Sequence, residues 1–352
     1  MSALRAALVR ARRIVVKVGS RALAADPELP ARLGAQIAEQ SSDRRAFVVV
    51  SSGAIALGGA RLGYRTRPRE MARLQAAAAA GQSVLMRRWE EGLAGHGLTA
   101  AQVLLTHADL EERDRVNNAR QALAALLEAG AVPIVNENDT VSTEEIAFGD
   151  NDQLAAMMVP LVGADLLVLL TDVDGVLDAG GRVIPLLADE TVVAEIAASG
   201  GRVGSGGIAS KLDAAKKATL FGASVVIGPA RRADVLRDIV CGESVGTLLA
   251  PRQTALKARK HWIAFTLRPK GTVLLDAGAA RAIRAGKGSL LPVGVLGVRG
   301  QWNAGDPVRL VSPAGEEIGR GLCRLSALDV ARVAGLKGEA IIIHRDDLVT
   351  TS

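Results

Sequence analysis

Short apolar runs alternate with amphipathic stretches along most of the chain. The runs at 13–18, 46–50, 99–105, 132–135, 166–171 and 224–227 carry few polar residues, as strands covered on both faces do. Helical spacing fills the gaps at 29–40, 69–93, 116–128, 152–161 and 208–221. The alanine run at 76–80 favours the second of these, because alanine has the best helix propensity. Strand–helix alternation predicts an α/β fold, an open and mostly parallel sheet sandwiched by helices. Ligands bind such sheets beyond the carboxyl ends of the strands, so the residues following each run are the place to look for chemistry.

The texture changes after about residue 251. Short β-like pieces at 272–275, 294–298 and 308–311 are separated by glycine-rich turns, with one helix at 277–284. This predicts a small C-terminal β-rich barrel. The expected division is 1–251 for the α/β domain, 252–270 for a linker and 271–352 for the barrel. A chain of 352 residues exceeds one ordinary core, which agrees with two domains.

The net charge of +6 first suggests a nucleic-acid partner. Its distribution changes that picture. Residues 1–251 hold 27 basic and 29 acidic residues, and 271–352 hold ten and eight. The excess therefore sits in 252–270, with six basic residues and no acidic one, the character of a solvated connector. Eight aromatics in all also count against a base-stacking surface. Trp89, Trp262 and Trp302 are expected to pack. Cys241 and Cys323 lie outside any metal or disulfide spacing and read as small buried hydrophobes in a reducing compartment. The longest apolar run, 157–170, is interrupted by Pro160, Gly163 and Asp165 and is too short for a membrane span. A soluble cytoplasmic protein is expected, with no membrane partner.

The strand-end residues divide by charge. Lys17 lies inside an apolar run and is followed by Gly19, a pair that suits an anion. Ser51-Ser52-Gly53 follows the second run and opens a helix, an anion-binding N-terminus or an ordinary cap. Gly204-Ser205-Gly206-Gly207-Ile208-Ala209-Ser210-Lys211 offers backbone N–H groups and one ammonium to a polyphosphate, without Walker A spacing. The acidic counterpart is Asn136-Glu137-Asn138-Asp139, then Gly149-Asp150-Asn151-Asp152, suited to an ammonium-bearing substrate or to aiming lysines. Thr171-Asp172 follows the most apolar run and forms a polar turn fit for a nucleotide. The four histidines are scattered and none is assigned chemistry.

These strings together resemble the glutamate 5-kinase family of the amino acid kinase superfamily, with a C-terminal PUA domain. The matching stretches include VVKVGS (15–20), VVSSGAIALG (49–58), VPIVNENDTVS (132–142), FGDNDQLAA (148–156), LLTDVDGV (169–176), GSGGIASKLDAA (204–215), KGSLLPVGVLGVRG (287–300) and HRDDLV (344–349). They run in order through nearly the whole chain. The NEND–GDND pair is the specific element, whereas a strand ending in KVGS is common to the superfamily. The resemblance implies ATP-dependent phosphorylation of the L-glutamate side-chain carboxylate, the first step of proline biosynthesis, with proline as feedback inhibitor. It implies Lys17, Lys211 and Asp152 as catalytic residues, the two lysines on the transferring phosphoryl and Asp152 orienting them. Ser52, Asp139 and Asn151 would hold glutamate, with Asp150 a further partner of its ammonium. Lys17, Gly19, Thr171, Asp172 and the turn Ser205, Gly206, Gly207, Ile208, Ala209, Ser210 and Lys211 would hold ATP, with Mg²⁺ as the accompanying ion and no dedicated protein metal site. A homo-oligomer is expected. Two departures stand out: Gly175-Val176-Leu177-Asp178 lacks the tyrosine the family often has there, and 179–187 is short. The alternatives are a relative acting on another small acid, and an RNA-binding protein working through the C-terminal domain.

Overall fold

The computed structural model describes residues 3–41, 44–141, 151–178, 180–187, 208–252, 260, 263–264, 267–286, 288–338 and 340–350. The chain divides into two compact units, Met1–Ala255 and Leu256–Ser352. Much of the basic connector, with Trp262, lies outside the described residues. Among them, no helix is long and apolar enough to cross a membrane.

Among the described residues, the first unit is built on an eight-stranded sheet. Its strands are β1 (Arg13–Val18), β2 (Ala46–Ser51), β3 (Ala100–Leu105), β4 (Val132–Glu137), β5 (Leu166–Thr171), β6 (Leu186–Leu187), β7 (Ser224–Pro229) and β8 (Thr247–Leu249). The spatial order is β3-β4-β2-β1-β5-β7-β8-β6, parallel except for the β7–β8 pair. The short β6 and β8 carry no sequence signal of their own, since two or three residues cannot display a period. Among the described residues the helices are α1 (Ala3–Leu8), α2 (Ser20–Ala25), α3 (Leu29–Ser41), α4 (Ala54–Arg61), α5 (Met71–Ala94), α6 (His107–Glu111), α7 (Arg113–Glu128), α8 (Asn151–Val162), α9 (Ile208–Phe221) and α10 (Val235–Val240).

Side-chain parity divides the core into two layers. Ile14, Val16 and Val18 of β1, Phe47 and Val49 of β2 and Leu166, Val168 and Leu170 of β5 face one way, under α3, α5 and α10. Val15, Val48, Val50, Leu167 and Leu169 face the other way, under α7, α8 and α9. Burial on both faces explains why these strands read as unbroken apolar runs. The strand order reverses at β1, which has β2 on one side and β5 on the other. A crevice beyond the carboxyl ends at such a switch point is where α/β sheets place ligands.

Two glycines bring α4 and α5 into backbone contact. A Cβ on Gly58 would stand 1.7 Å from the Ala77 carbonyl oxygen, and one on Gly81 would stand 1.8 Å from that of Ala54. No side chain fits at either position, so the crossing distance is set by the main chain.

The second unit carries a five-stranded sheet of β9 (Gly271–Leu275), β10 (Val295–Gly300), β11 (Pro307–Val311), β12 (Glu317–Leu322) and β13 (Leu348–Thr350), in the order β10-β9-β11-β12-β13. Helices α11 (Ala277–Arg284) and α12 (Ala327–Val333) pack on it. Sequence periodicity did not reveal β12, whose GRG segment reads as a turn, or β13 near the chain end. Trp302 is buried in this core and donates its indole N–H to the Leu325 carbonyl at 3.1 Å. Trp89 is likewise buried, on Ser51 Oγ at 2.9 Å, so both are packing residues. Cys323 is buried, and burial raises its thiol pKa. Cys241 corrects the expectation made for it: it is exposed, because it is the C-cap of α10 where the chain turns outward through Gly242.

Candidate active site

The fold sends two distant lysines to one carboxylate. Lys17 has the parity of Val15 and therefore points to the face covered by α8 and α9. Its Nζ lies 2.7 Å from Oδ1 of Asp152, in the first turn of α8. Lys211, in the first turn of α9, places its Nζ 2.9 Å from Oδ2 of the same residue. The three side chains are 7%, 6% and 13% exposed for Lys17, Asp152 and Lys211. Burial alone would raise the pKa of Asp152. The charges and hydrogen bonds of Lys17 and Lys211 outweigh it and hold the carboxyl below its ordinary range. The helix N-terminus also favours a negative charge there. Next to Asp152, Gln153 accepts from Lys217 at 2.6 Å and donates to Asp213 at 2.8 Å, which fixes α9 on α8 and with it the aim of Lys211.

Beside this triad lies a cavity of about 210 Å³, lined by Ser20, the 52–56 turn, Arg67, Asn136, Glu137, Asp139 and Asn151. Gly53 forms one wall with φ 114°, a left-handed conformation that disfavours any side chain. Ser52, whose N–H bonds the Val18 carbonyl at 3.1 Å, sits between the ends of β1 and β2. Asn151 donates its amide N–H₂ to the Ser51 carbonyl at 3.1 Å, to Ser52 Oγ at 2.9 Å and to Asn136 Oδ1 at 2.9 Å. The Asp139 carboxyl is pushed up to about 6, first by burial and then by the Glu137 charge, with Arg67 partly offsetting both. The cavity thus presents an under-neutralised carboxylate, a hydroxyl and amide groups, a donor set suited to an amino acid.

On the other side of β1, Thr171 ends β5 and donates to Asp172 Oδ1 at 3.0 Å. Asp172 is also 3.5 Å from the Arg21 guanidinium. Burial raises its pKa, but bonds from Thr171 and its own backbone and the Arg21 charge bring it below the usual range. Gly19 caps α2, and a Cβ there would lie 3.8 Å from Lys17 Nζ, so glycine keeps the space beside that ammonium open. Ile208, Ala209 and Ser210 form the first turn of α9 with Lys211. Asp150, Ser205, Gly206 and Gly207 lie outside the described residues. After Gly175 the short segment closes on itself, with the Asp178 N–H on the Arg182 carbonyl at 2.8 Å and an ion pair between the same residues at 3.1 Å.

Sequence pattern assigned no role to Arg67, Gln82, Gln153 or Arg21, and placed Asn136 in the strand-end group suited to an ammonium without giving it a role of its own. Gln153 had only its adjacency to Asp152 as a signal, and neighbouring helix positions do not share a face. Arg67 had no signal, since it sits in a non-periodic connection between α4 and α5.

Comparison with known proteins identifies the family. Residues 12–228 match the amino acid kinase family, and residues 271–345 match the PUA domain. The glutamate 5-kinase of Pseudomonas fluorescens strain Pf0-1 is 44% identical over 98% of this chain and 100% of its own length. That of Chromohalobacter salexigens is 45% identical over 99% of this chain and 98% of its own, and that of Pseudomonas syringae pv. tomato is 45% identical over 98% and 100%. With that likeness running end to end, the chain belongs to the glutamate 5-kinase family.

Proposed function

We propose that the protein transfers the γ-phosphoryl group of ATP to the side-chain carboxylate of L-glutamate, giving L-glutamyl 5-phosphate and ADP. The observation that carries this reading is the Asp152 carboxylate held between Lys17 and Lys211 beside an amino-acid-sized cavity. The nucleophile is a glutamate side-chain carboxyl, which in water titrates at about 4.3 and is ionised at neutral pH, so the reaction calls for no general base. Its barrier is repulsion between carboxylate and γ-phosphate, together with the need for in-line placement. As the carboxylate oxygen bonds to phosphorus and the β,γ-bridging P–O bond breaks, two ammonium groups spread the charge on the transferring oxygens. Asp152 keeps both aimed at one centre.

Ser52, Asp139 and Asn151 bind glutamate in this reading, with Asp150 a further partner for its ammonium. Gly19, Thr171, Asp172 and the 205–211 turn bind the nucleotide. Both Asp152 oxygens face lysines, a donor set that would leave a magnesium ion to the phosphates and water. Bound there, magnesium neutralises phosphate charge. The reaction is the first step of proline biosynthesis, and proline, which shares the ammonium and α-carboxylate of glutamate, competes for the same cavity.

The test is trapping of the acyl phosphate. Protein, ATP, magnesium and hydroxylamine are incubated with glutamate, aspartate or acetylglutamate. Hydroxamate forms with glutamate alone and falls on addition of proline; hydroxamate from another acid in preference to glutamate overturns the substrate assignment.

Asp139 gives this reading a pH signature. Its acid form, which dominates below about pH 6, lacks the charge that attracts an ammonium. Affinity is therefore full above that value and lost as the pH falls through it. The KM for glutamate should rise about tenfold between pH 7 and pH 5, while the KM for ATP stays flat over that interval. In Asp139→Asn the glutamate KM is high throughout and nearly independent of pH. A wild-type KM for glutamate that is constant over this interval would show that Asp139 does not meet the ammonium.

A further inference from the structure

A single backbone carbonyl dictates the orientation of three consecutive side-chain amides. The Ser51 carbonyl oxygen can only accept, so the Asn151 atom 3.1 Å from it must be the amide nitrogen. The Asn136 atom 2.9 Å from that nitrogen must then be an acceptor, Oδ1. This turns Asn136 Nδ2 toward α5, as its parity with Ile134 requires, and there it meets Gln82 Oε1 at 2.9 Å. The remaining amide of Gln82 is stranded: among the described residues its Nε2 is buried without a hydrogen-bond partner. A buried donor left unmade costs about 1–3 kcal/mol, so a glutamine here is a poor choice for packing alone. Its acceptor oxygen accounts for it. At the far end, Asn151 has committed its N–H₂ inward, and its Oδ1 makes no hydrogen bond among the described residues and remains available to a ligand in the cavity it lines.

We propose that Gln82, which does not line the cavity, is a positioning residue for the substrate: through Asn136 it holds the Asn151 amide with its carbonyl oxygen toward the ammonium of the bound amino acid. This rests on the glutamate kinase reading given above. Without the Gln82 oxygen, Asn136 loses the acceptor that braces its Nδ2 and is free to swing away from Asn151. Asn151 keeps its bonds to the Ser51 carbonyl and Ser52 Oγ but loses the acceptor on its third side, so its amide plane is less firmly fixed. Its Oδ1 then meets the incoming ammonium less squarely. The lysine–Asp152 triad is not part of this relay.

The experiment compares steady-state kinetics of the full-length wild type, Gln82→Met and Gln82→Glu, with thermal midpoints recorded for each. Methionine fills the volume and removes the acceptor. Glutamate keeps an acceptor oxygen toward Asn136 in either protonation state and removes the stranded donor. In Gln82→Met the KM for glutamate should rise about fivefold or more, the effect of one hydrogen bond, with kcat and the KM for ATP within about twofold of wild type. Gln82→Glu should keep the wild-type KM for glutamate within about twofold. Equal KM increases in the two variants, or parallel loss of kcat and both KM values in Gln82→Met, would mean that the site only needs packing there and would overturn the inference. If Gln82→Met does not fold, a tenfold rise of the glutamate KM in folded Gln82→Glu overturns it by itself. A wild type that does not phosphorylate glutamate sinks both this inference and the function on which it rests, whereas an active wild type with an unaffected Gln82→Met sinks the inference alone.

Discussion

Lys211→Met and Lys17→Met should each lower kcat by at least about 10²–10³-fold in a protein that remains folded. Removing one preorganised donor aimed at developing charge has that effect in other enzymes. Here the donors are full charges within 2.7 and 2.9 Å of one carboxylate and largely removed from water, which strengthens them. Methionine approximates the length of lysine and keeps its apolar stem packed. Asp152 still retains one ammonium in either variant, so no buried charge is left alone. Glutamate should still bind, because the cavity residues around Asp139 and Asn151 are untouched, and ATP affinity should fall less than kcat, because Gly19, Thr171 and Asp172 remain in place. The check is kcat with purified variants, alongside far-UV circular dichroism and a thermal midpoint. Turnover near wild type in either one removes that lysine from the chemistry.

Asp152→Asn should be the more damaging change to the fold. It leaves Lys17 and Lys211, both mostly buried, facing each other without a counter-charge. Removing one partner from a buried ion pair destabilises by roughly 3–5 kcal/mol, far more than the pair contributes net. Urea denaturation should show a loss of that order. Adding Lys211→Met to Asp152→Asn should recover part of it, since one uncompensated cation disappears. A double-mutant cycle reads that coupling directly. The same arrangement sets an acid limit. Asp152 is held below its ordinary pKa, so its stabilising contribution is complete above the unfolded value of about 3.9 and is lost as the pH falls from there through the depressed value. Additive stability losses in the cycle would mean that the ammonium groups do not depend on Asp152 for charge compensation.

Much of the sheet was legible because its strands are buried on both faces. Runs such as 166–171 have no polar alternate to confuse the reading, and the structure returns that strand with the same bounds. The helix at 208–221 was equally plain, and Ile208–Phe221 is what forms. The pieces that escaped are those whose identity comes from neighbours. The three-residue β8 is a strand because β7 lies beside it antiparallel, not because of its own pattern. Helix α10 sits where Gln36 of α3 accepts from the Leu236 and Arg237 N–H groups, a cap supplied from 200 residues away. In the site, Lys17 stood out as a charge within an apolar run and Lys211 as the cation that follows a glycine-rich turn. Gln82 did not, since a glutamine in an alanine-rich helix is indistinguishable from an exposed one until the fold brings Asn136 to it.

The crossing of Gly58 and Gly81 carries a consequence for how this protein tolerates mutation. Ala54, against which Gly81 rests, opens α4 immediately after the cavity wall at Gly53, and Gln82 immediately follows Gly81. Any methyl group introduced at 58 or 81 acts as a wedge that pries the wall away from the helix supporting it. A genetic screen for inactive alleles should therefore recover two positions that bear no functional group and touch no substrate, and suppressors of those alleles should map to the opposing helix rather than to the lysines.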